Sequence, residues 1–186
     1  MEEEKKQDVT GIEKVRQDIL SSAITDLELL NSARLMSDDY ETIKVIGEGA
    51  EEEEKIIGEG GQGKVFEVKS KIDGKTYAAK RLQYRIGSKN NDKKIKAIAE
   101  REVTCLRALN HPMIIGMVDL VKDDENYPCI IMEKCNQSLG KIIRGYEEDS
   151  IPEKRVLRIF TMICIPLYLI HSKKMIHRDL KPDNIL

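Results

Sequence analysis

The sequence has no tryptophan, two phenylalanines and 4% aromatic residues overall in 186. Its core must therefore be built from aliphatic side chains rather than stacked rings. Its four cysteines, Cys105, Cys129, Cys135 and Cys164, form no C-x-x-C pair, and with three histidines they give no zinc-like spacing. Reduced thiols in a cytoplasmic protein are the expectation. Charge of one sign is also missing: 31 Lys+Arg against 33 Asp+Glu leave a net charge of −2, which is no footprint for nucleic acid or an anionic membrane. The opening MEEEKKQ has no apolar stretch behind it, so a secretory signal is not expected. The longest nearly apolar run, Ile159–Ile170, is short of the ~20 residues a membrane span needs, and is expected to form a buried helix.

What is present begins with a stripe at Ile12, Val15, Ile19, Ala23, Leu27 and Leu30, whose steps of three and four predict a helix reaching about Met36. This face either packs on the rest of the chain or docks a partner. An internal echo follows: KVIGEGA at 44–50 returns eleven residues later as KIIGEGG at 55–61, with the acidic run Glu51–Glu54 between the copies. Then VFEV (65–68) and TYAAK (76–80) flank Asp73-Gly74, the signature of a tight hairpin with positive φ in its turn. A helical stripe covers Lys93–Leu109. Two more strands are read at Ile114–Val121 and Tyr127–Met132. Ser150-x-x-Glu153 predicts a capping box opening a helix with the face Val156, Ile159, Ile163, Leu167 and Ile170. Pro166 in its middle removes a hydrogen bond and predicts a kink or a cost of ~3 kcal/mol. Strands with one helix followed by helices point to an α+β chain.

Three constellations carry chemistry. Gly58-Glu59-Gly60-Gly61-Gln62-Gly63-Lys64-Val65 fits G-x-G-x-x-G-x-V between two strands, where bare backbone leaves amide N–H groups free to face phosphate oxygens. A glycine-rich hairpin with no ligand fits the same letters. The earlier copy has Glu52 where the third glycine belongs, so the phosphate loop is assigned to the second copy. Lys80 ends an apolar strand and needs a partner. Glu102, on a face with Ile98, Leu106 and Leu109, can supply it while Glu100 points elsewhere; the alternative is an ordinary ion pair. In HRDLKPDNIL (177–186), Asp179 offers a proton acceptor, Lys181 a cation for a phosphoryl group and Asn184 an amide oxygen for a hard cation. A solvated turn is the plain alternative, and His177 is read as structural.

Taken in order, the glycine loop, AAK ending at Lys80, Glu102 before LRALNHPMII, CIIMEKC and HRDLKPDNIL resemble the eukaryotic protein kinase family over about 40–186, with Lys181 two residues after Asp179 as in its serine/threonine branch. The resemblance implies a small antiparallel-sheet N-lobe with one main helix at 40–134, containing the doubled glycine segment 44–61. The beginning of a helical C-lobe would follow at 135–186, and 1–39 would be an N-terminal extension. It implies ATP and Mg²⁺ as cofactors and a protein Ser or Thr hydroxyl as acceptor. Phosphates would lie under Gly58, Glu59, Gly60, Gly61, Gln62 and Gly63, and adenine between Ile57, Val65 and Ala78. Met132 would be the gatekeeper, with Glu133 and Cys135 in the hinge. Lys80, held by Glu102, would contact the α- and β-phosphates; Asp179 would orient and deprotonate the acceptor, Lys181 steady the γ-phosphate and Asn184 bind Mg²⁺. Gln62 replaces the aromatic often found at the loop tip. No D-F-G or A-P-E segment follows within these residues, so the expectation is a kinase cut after its catalytic loop, with an exposed apolar helix face. Its alternative is a non-catalytic fragment that binds nucleotide or a partner.

Overall fold

The computed structural model describes residues 34–46, 52–60, 63–88, 93–146 and 151–186. The stripe from Ile12 to Leu30, Gly61, Gln62 and Ser150 lie outside these residues. The described chain forms two compact units, one of residues 34–110 with 116–134 and the other of residues 111–115 with 135–186. Together they hold an antiparallel sheet and helices, an α+β protein-kinase-like architecture.

In the first unit, the short helix α1 (Met36–Asp39) leads into β1 (Tyr40–Thr42), β2 (Lys44–Ile46), β3 (Glu52–Glu54), β4 (Ile56–Gly60), β5 (Gly63–Ser70) and β6 (Thr76–Leu82). Helix α2 (Lys93–Ala108), β7 (Met117–Lys122) and β8 (Pro128–Glu133) complete it. The main sheet runs β1-β5-β6-β8-β7 with β4 also paired to β5, and every named pair is antiparallel. Apolar and polar residues alternate along β5, so Phe66 and Val68 face one way while Val65 and Glu67 face the other.

The doubled segment is accommodated without disturbing this sheet. β1 pairs with the Val68–Ser70 end of β5 and β4 with its other end, so both lie on the same edge. The join is stitched by backbone bonds from Ile43 N to Glu67 O (2.9 Å), Lys55 N to Ile43 O (2.8 Å) and Glu67 N to Lys55 O (3.0 Å). Between these points the described residues 44–46 and 52–54 form a separate two-stranded sheet, β2 paired with β3. Eleven residues separate Ile43 from Lys55 in the sequence and eleven is the period of the echo, so the edge strand reads YETI followed directly by KIIGEG.

The sheet buries both faces. On one, Phe66, Val68, Ala79, Val121, Cys129 and Ile131 close over Met36 and Tyr40 of the strap at 34–40. Tyr40 sets its ring edge-on to Tyr77, with centroids 6.4 Å apart. On the other, Leu82 and Ile130 receive Ala99 and Val103 of α2. The inward stripe of α2 is thus Ala99, Val103 and Leu106, and Ile98 is 55% exposed, which corrects the expected face. Glu100 is also mostly covered, pairing with Lys96 at 3.5 Å. In the β5–β6 turn only Gly74 has positive φ (70°), and Ser70 O accepts from Gly74 N at 3.0 Å. A five-residue connection, 71–75, with a left-handed glycine replaces the expected tight turn at Asp73-Gly74.

The second unit contains α3 (Leu139–Arg144), α4 (Glu153–Ser172) and a 3-10 turn, Pro182–Asn184. Ser138 Oγ caps α3 by accepting from Lys141 N at 3.2 Å. Helix α4 starts with Pro152 at its cap position, without a side-chain cap, and continues through Pro166 for 20 residues. Ile159, Ile163, Pro166 and Ile170 form its covered stripe. Val156, expected on that face, is exposed, as are Leu157, Phe160, Met162, Ile165 and Tyr168. The expectation of a buried helix here is therefore wrong: α4 is amphipathic only weakly, and its apolar residues outnumber those the unit covers.

Candidate active site

In the first unit, sheet register gathers the nucleotide candidates onto one face. Gly58 on β4 lies opposite Val65 on β5, Val65 opposite Lys80 on β6, and Lys80 opposite Ile130 on β8. The next row on the same face is Glu67, Ala78 and Met132. Directly opposed residues of antiparallel strands share a face, so Val65, Ala78, Lys80 and Met132 converge by pairing alone. Glu133 is the last residue of β8, opposite Tyr77, and Cys135 begins the second unit. Ile57 and Glu59 on β4 are exposed.

The glycines have separate reasons. Gly63 has φ 136°, and a Cβ there would stand 2.1 Å from Arg81 O, so no other residue fits. A Cβ on Gly58 would rest 3.7 Å from Val65 Cβ, an ordinary contact. The fold itself does not demand glycine at 58. What glycine gives there is a low backbone that a ligand can approach.

Lys80 Nζ is bound to Glu102 Oε1 in a short ion pair, with the two side chains 15% and 20% exposed. The strand fixes the lysine and α2 fixes the glutamate, because Val103 beside Glu102 is fully buried against Leu82 and Ile130. A half-buried lysine oriented by one carboxylate presents a directed positive charge to an anion.

A second charge cluster on this face escaped the sequence reading. Glu67, 5% exposed, receives Lys55 Nζ at 3.0 Å and Lys134 Nζ at 3.1 Å. Burial pushes the Glu67 carboxyl upward, but the two lysines outweigh it and hold it below the ordinary glutamate value. It ties the start of β4 to the residue that follows β8. The one sequence signal was a carboxylate inside the apolar run VFEV. On the opposite face, Arg81 pairs with buried Asp123 at 2.7 Å and lies over the Phe66 ring at 5.5 Å.

In the second unit, Asp179, Lys181 and Asn184 come together in one loop. Asp179 Oδ2 accepts from Lys181 Nζ at 3.0 Å and from Asn184 Nδ2 at 2.8 Å, and Asp179 O accepts from the same amide nitrogen at 2.7 Å. Lys181 and then Asn184 hold the Asp179 carboxyl below its ordinary value. With the amide nitrogen committed to Asp179, Oδ1 is the atom Asn184 can offer a cation. His177 Nδ1 accepts from Asp179 N at 3.4 Å, and Arg178 takes φ 67°, turning the loop. Asp183 accepts from Arg144 Nη2 at 2.9 Å, and Leu139 N donates to Ile185 O at 2.7 Å, which docks the loop on α3. Gly140 makes that approach possible: a Cβ there would meet Asp183 Oδ1 at 2.2 Å. Among the described residues, no group of three or more His, Cys, Asp or Glu forms a metal cluster.

Residues 51–186 match the protein kinase domain family. An interferon-induced, double-stranded RNA-activated protein kinase of Rattus norvegicus is 40% identical over 152 residues, covering 69% of this chain and 27% of that protein. A cell division control protein 2 homolog of Trypanosoma brucei brucei is 32% identical over 130 residues, covering 70% of the chain and 36% of the relative. Serine/threonine-protein kinase Nek4 of Mus musculus is 31% identical over 134 residues, with 70% and 16% covered. The chain spans about a quarter to a third of the length of the first curated relatives it matches. With the glycine strand, the Lys80–Glu102 pair and the HRDLKPDN loop all inside the matched region, the chain belongs to the protein kinase domain family.

Proposed function

We propose that the chain works in ATP-dependent phosphoryl transfer to protein serine or threonine hydroxyls. The oriented Lys80–Glu102 pair, on the sheet face that also carries Val65 and Ala78, is the observation that carries this reading. Lys80 would hold the α- and β-phosphates under the low backbone at Gly58, with Ile57, Val65, Ala78 and Met132 around adenine and the backbone of Glu133 and Cys135 facing its edge. Asp179, kept ionised by Lys181 and Asn184, would orient the acceptor hydroxyl and take its proton. Lys181 would neutralise the transferring phosphoryl group.

The donor set fits Mg²⁺ in part. Asn184 Oδ1 is a hard oxygen with its amide held in place, and Mg²⁺ is commonly held by one or two protein oxygens together with phosphates and water. When bound, the ion would neutralise phosphate charge.

Asp179→Asn should lower phosphate transfer from Mg·ATP to a serine-containing protein by about 10²-fold or more, with nucleotide binding retained. Equal transfer by the variant would remove Asp179 from the proposed role. A non-catalytic nucleotide-binding reading is favoured by one observation: Asp179 and Lys181 are 58% and 51% exposed, so their loop lies in water. It predicts binding that Lys80→Met abolishes, with no transfer for Asp179→Asn to reduce.

A further inference from the structure

We infer that the two copies of the echo are interchangeable strands, and that β5 can pair with either, giving the glycine edge two registers. The observed register uses the second copy: Lys55 stitches to Ile43 and Glu67, and Ile56–Gly60 pair with β5. Shifting by the eleven-residue period puts Lys44, Val45 and Ile46 where Lys55, Ile56 and Ile57 now stand. Thr42 and Ile43 then continue into Lys44 without a break, and Glu67 receives Lys44 in place of Lys55. Because the period equals the number of residues between Ile43 and Lys55, the pleat is kept and no side chain changes face.

The second register gives up the β2–β3 ladder and the Arg81–Glu54 ion pair at 3.4 Å, while the exchanged strand itself changes little. Two of the three exchanged strand residues are identical, and the third replaces isoleucine with valine at a position 47% exposed. One half-covered methylene shifts the register ratio by only about two- to fourfold. Loop closure also nearly cancels: eleven residues are removed before the strand and added after it, and closure entropy grows slowly with length. β5, β6 and the obligatory Gly63 are common to both.

They differ in what leads into Gly63. In the second register Glu52, Glu53 and Glu54, now β3, lie in the connection between the strand and Gly63, where their carboxylates oppose phosphate. Nucleotide therefore selects the observed register, a control that rests on the proposed ATP site. An eleven-residue duplication thus acts as a built-in competitor for that site.

Hydrogen exchange at residues 56–60 of the full chain tests this, with and without Mg·ATP. The comparison chains are one lacking Lys44–Glu54 and the variant Lys55→Glu, which places a carboxylate against Glu67 in the observed register only. Parent 56–60 should exchange as slow and fast fractions, with Mg·ATP enlarging the slow one. The deletion should be entirely slow and bind Mg·ATP about two- to tenfold tighter, since the parent's affinity is reduced by its competent fraction. Lys55→Glu should be mostly fast. Parent exchange as slow as the deletion's, with equal nucleotide affinity, would overturn the inference, and this comparison stands even if Lys55→Glu fails to fold. Two fractions that ignore Mg·ATP would keep the register exchange and overturn the nucleotide reading instead.

Discussion

At the scale of single residues, position decides more than identity. Gly58 and Gly63 are the same amino acid in one motif, yet only Gly63 is compelled by the fold. Gly63→Ala should cost about 1–3 kcal/mol of unfolding free energy, while Gly58→Ala should leave stability within about 1 kcal/mol and lower nucleotide affinity. Urea melts paired with a nucleotide titration separate the two. Glu67 makes a pH prediction. Its carboxyl titrates below its ordinary value in the folded chain, so its stabilisation is fully present above about pH 4.5 and is lost as pH falls through the lower, folded value. Glu67→Gln should therefore destabilise by about 3 kcal/mol at neutral pH, because two half-covered lysines lose their carboxylate. Parent and variant should converge in stability once pH has fallen through that lower value. Cys129 is inert for the same kind of reason: burial pushes its thiol up to about 12.

Among elements, the long ones were legible and the short ones were not. The Asp73-Gly74 turn between VFEV and TYAAK marked β5 and β6, and helical spacing marked α2 within a residue at each end, because a turn dipeptide and a buried helix face both leave a local pattern. The missed pieces, α1 at 36–39 and α3 at 139–144, are too short for a pattern and exist because tertiary contacts hold them. Helix α3 is held by Ser138 and by the loop it supports, where Gly140 faces Asp183. Gly140→Ala should push that loop off the helix, costing about 1–3 kcal/mol and raising exchange at Leu139 N, now bonded to Ile185 O. Unchanged exchange there would show that the loop does not depend on this approach. The inward face of α2 was misread at Ile98 because Glu102 was placed in the middle of the stripe, whereas it lies at its edge beside Val103. The echo was visible in the letters. Which copy forms the edge strand followed only from the bonds among Ile43, Lys55 and Glu67.

For the whole molecule, the fold and the family were within reach of the sequence because the kinase motifs are contiguous, whereas Glu67 with Lys55 and Lys134 spans 79 residues and has no sequence pattern. The same scale carries a solubility prediction. Phe160, Tyr168 and Leu157 on α4 are 64%, 79% and 57% exposed, an apolar surface that favours self-association. Phe160→Lys with Tyr168→Glu should raise the monomer fraction by light scattering at constant melting temperature; an unchanged fraction would show that this face is not what associates. The proposed nucleotide site on this sheet face stands on Lys80, oriented by Glu102. Calorimetric titration of Mg·ATP into the parent and into Lys80→Met tests it most directly. A saturable isotherm is expected for the parent and at least tenfold weaker binding for the variant, about 1.4 kcal/mol. No binding to the folded parent, or equal binding to both, would contradict it.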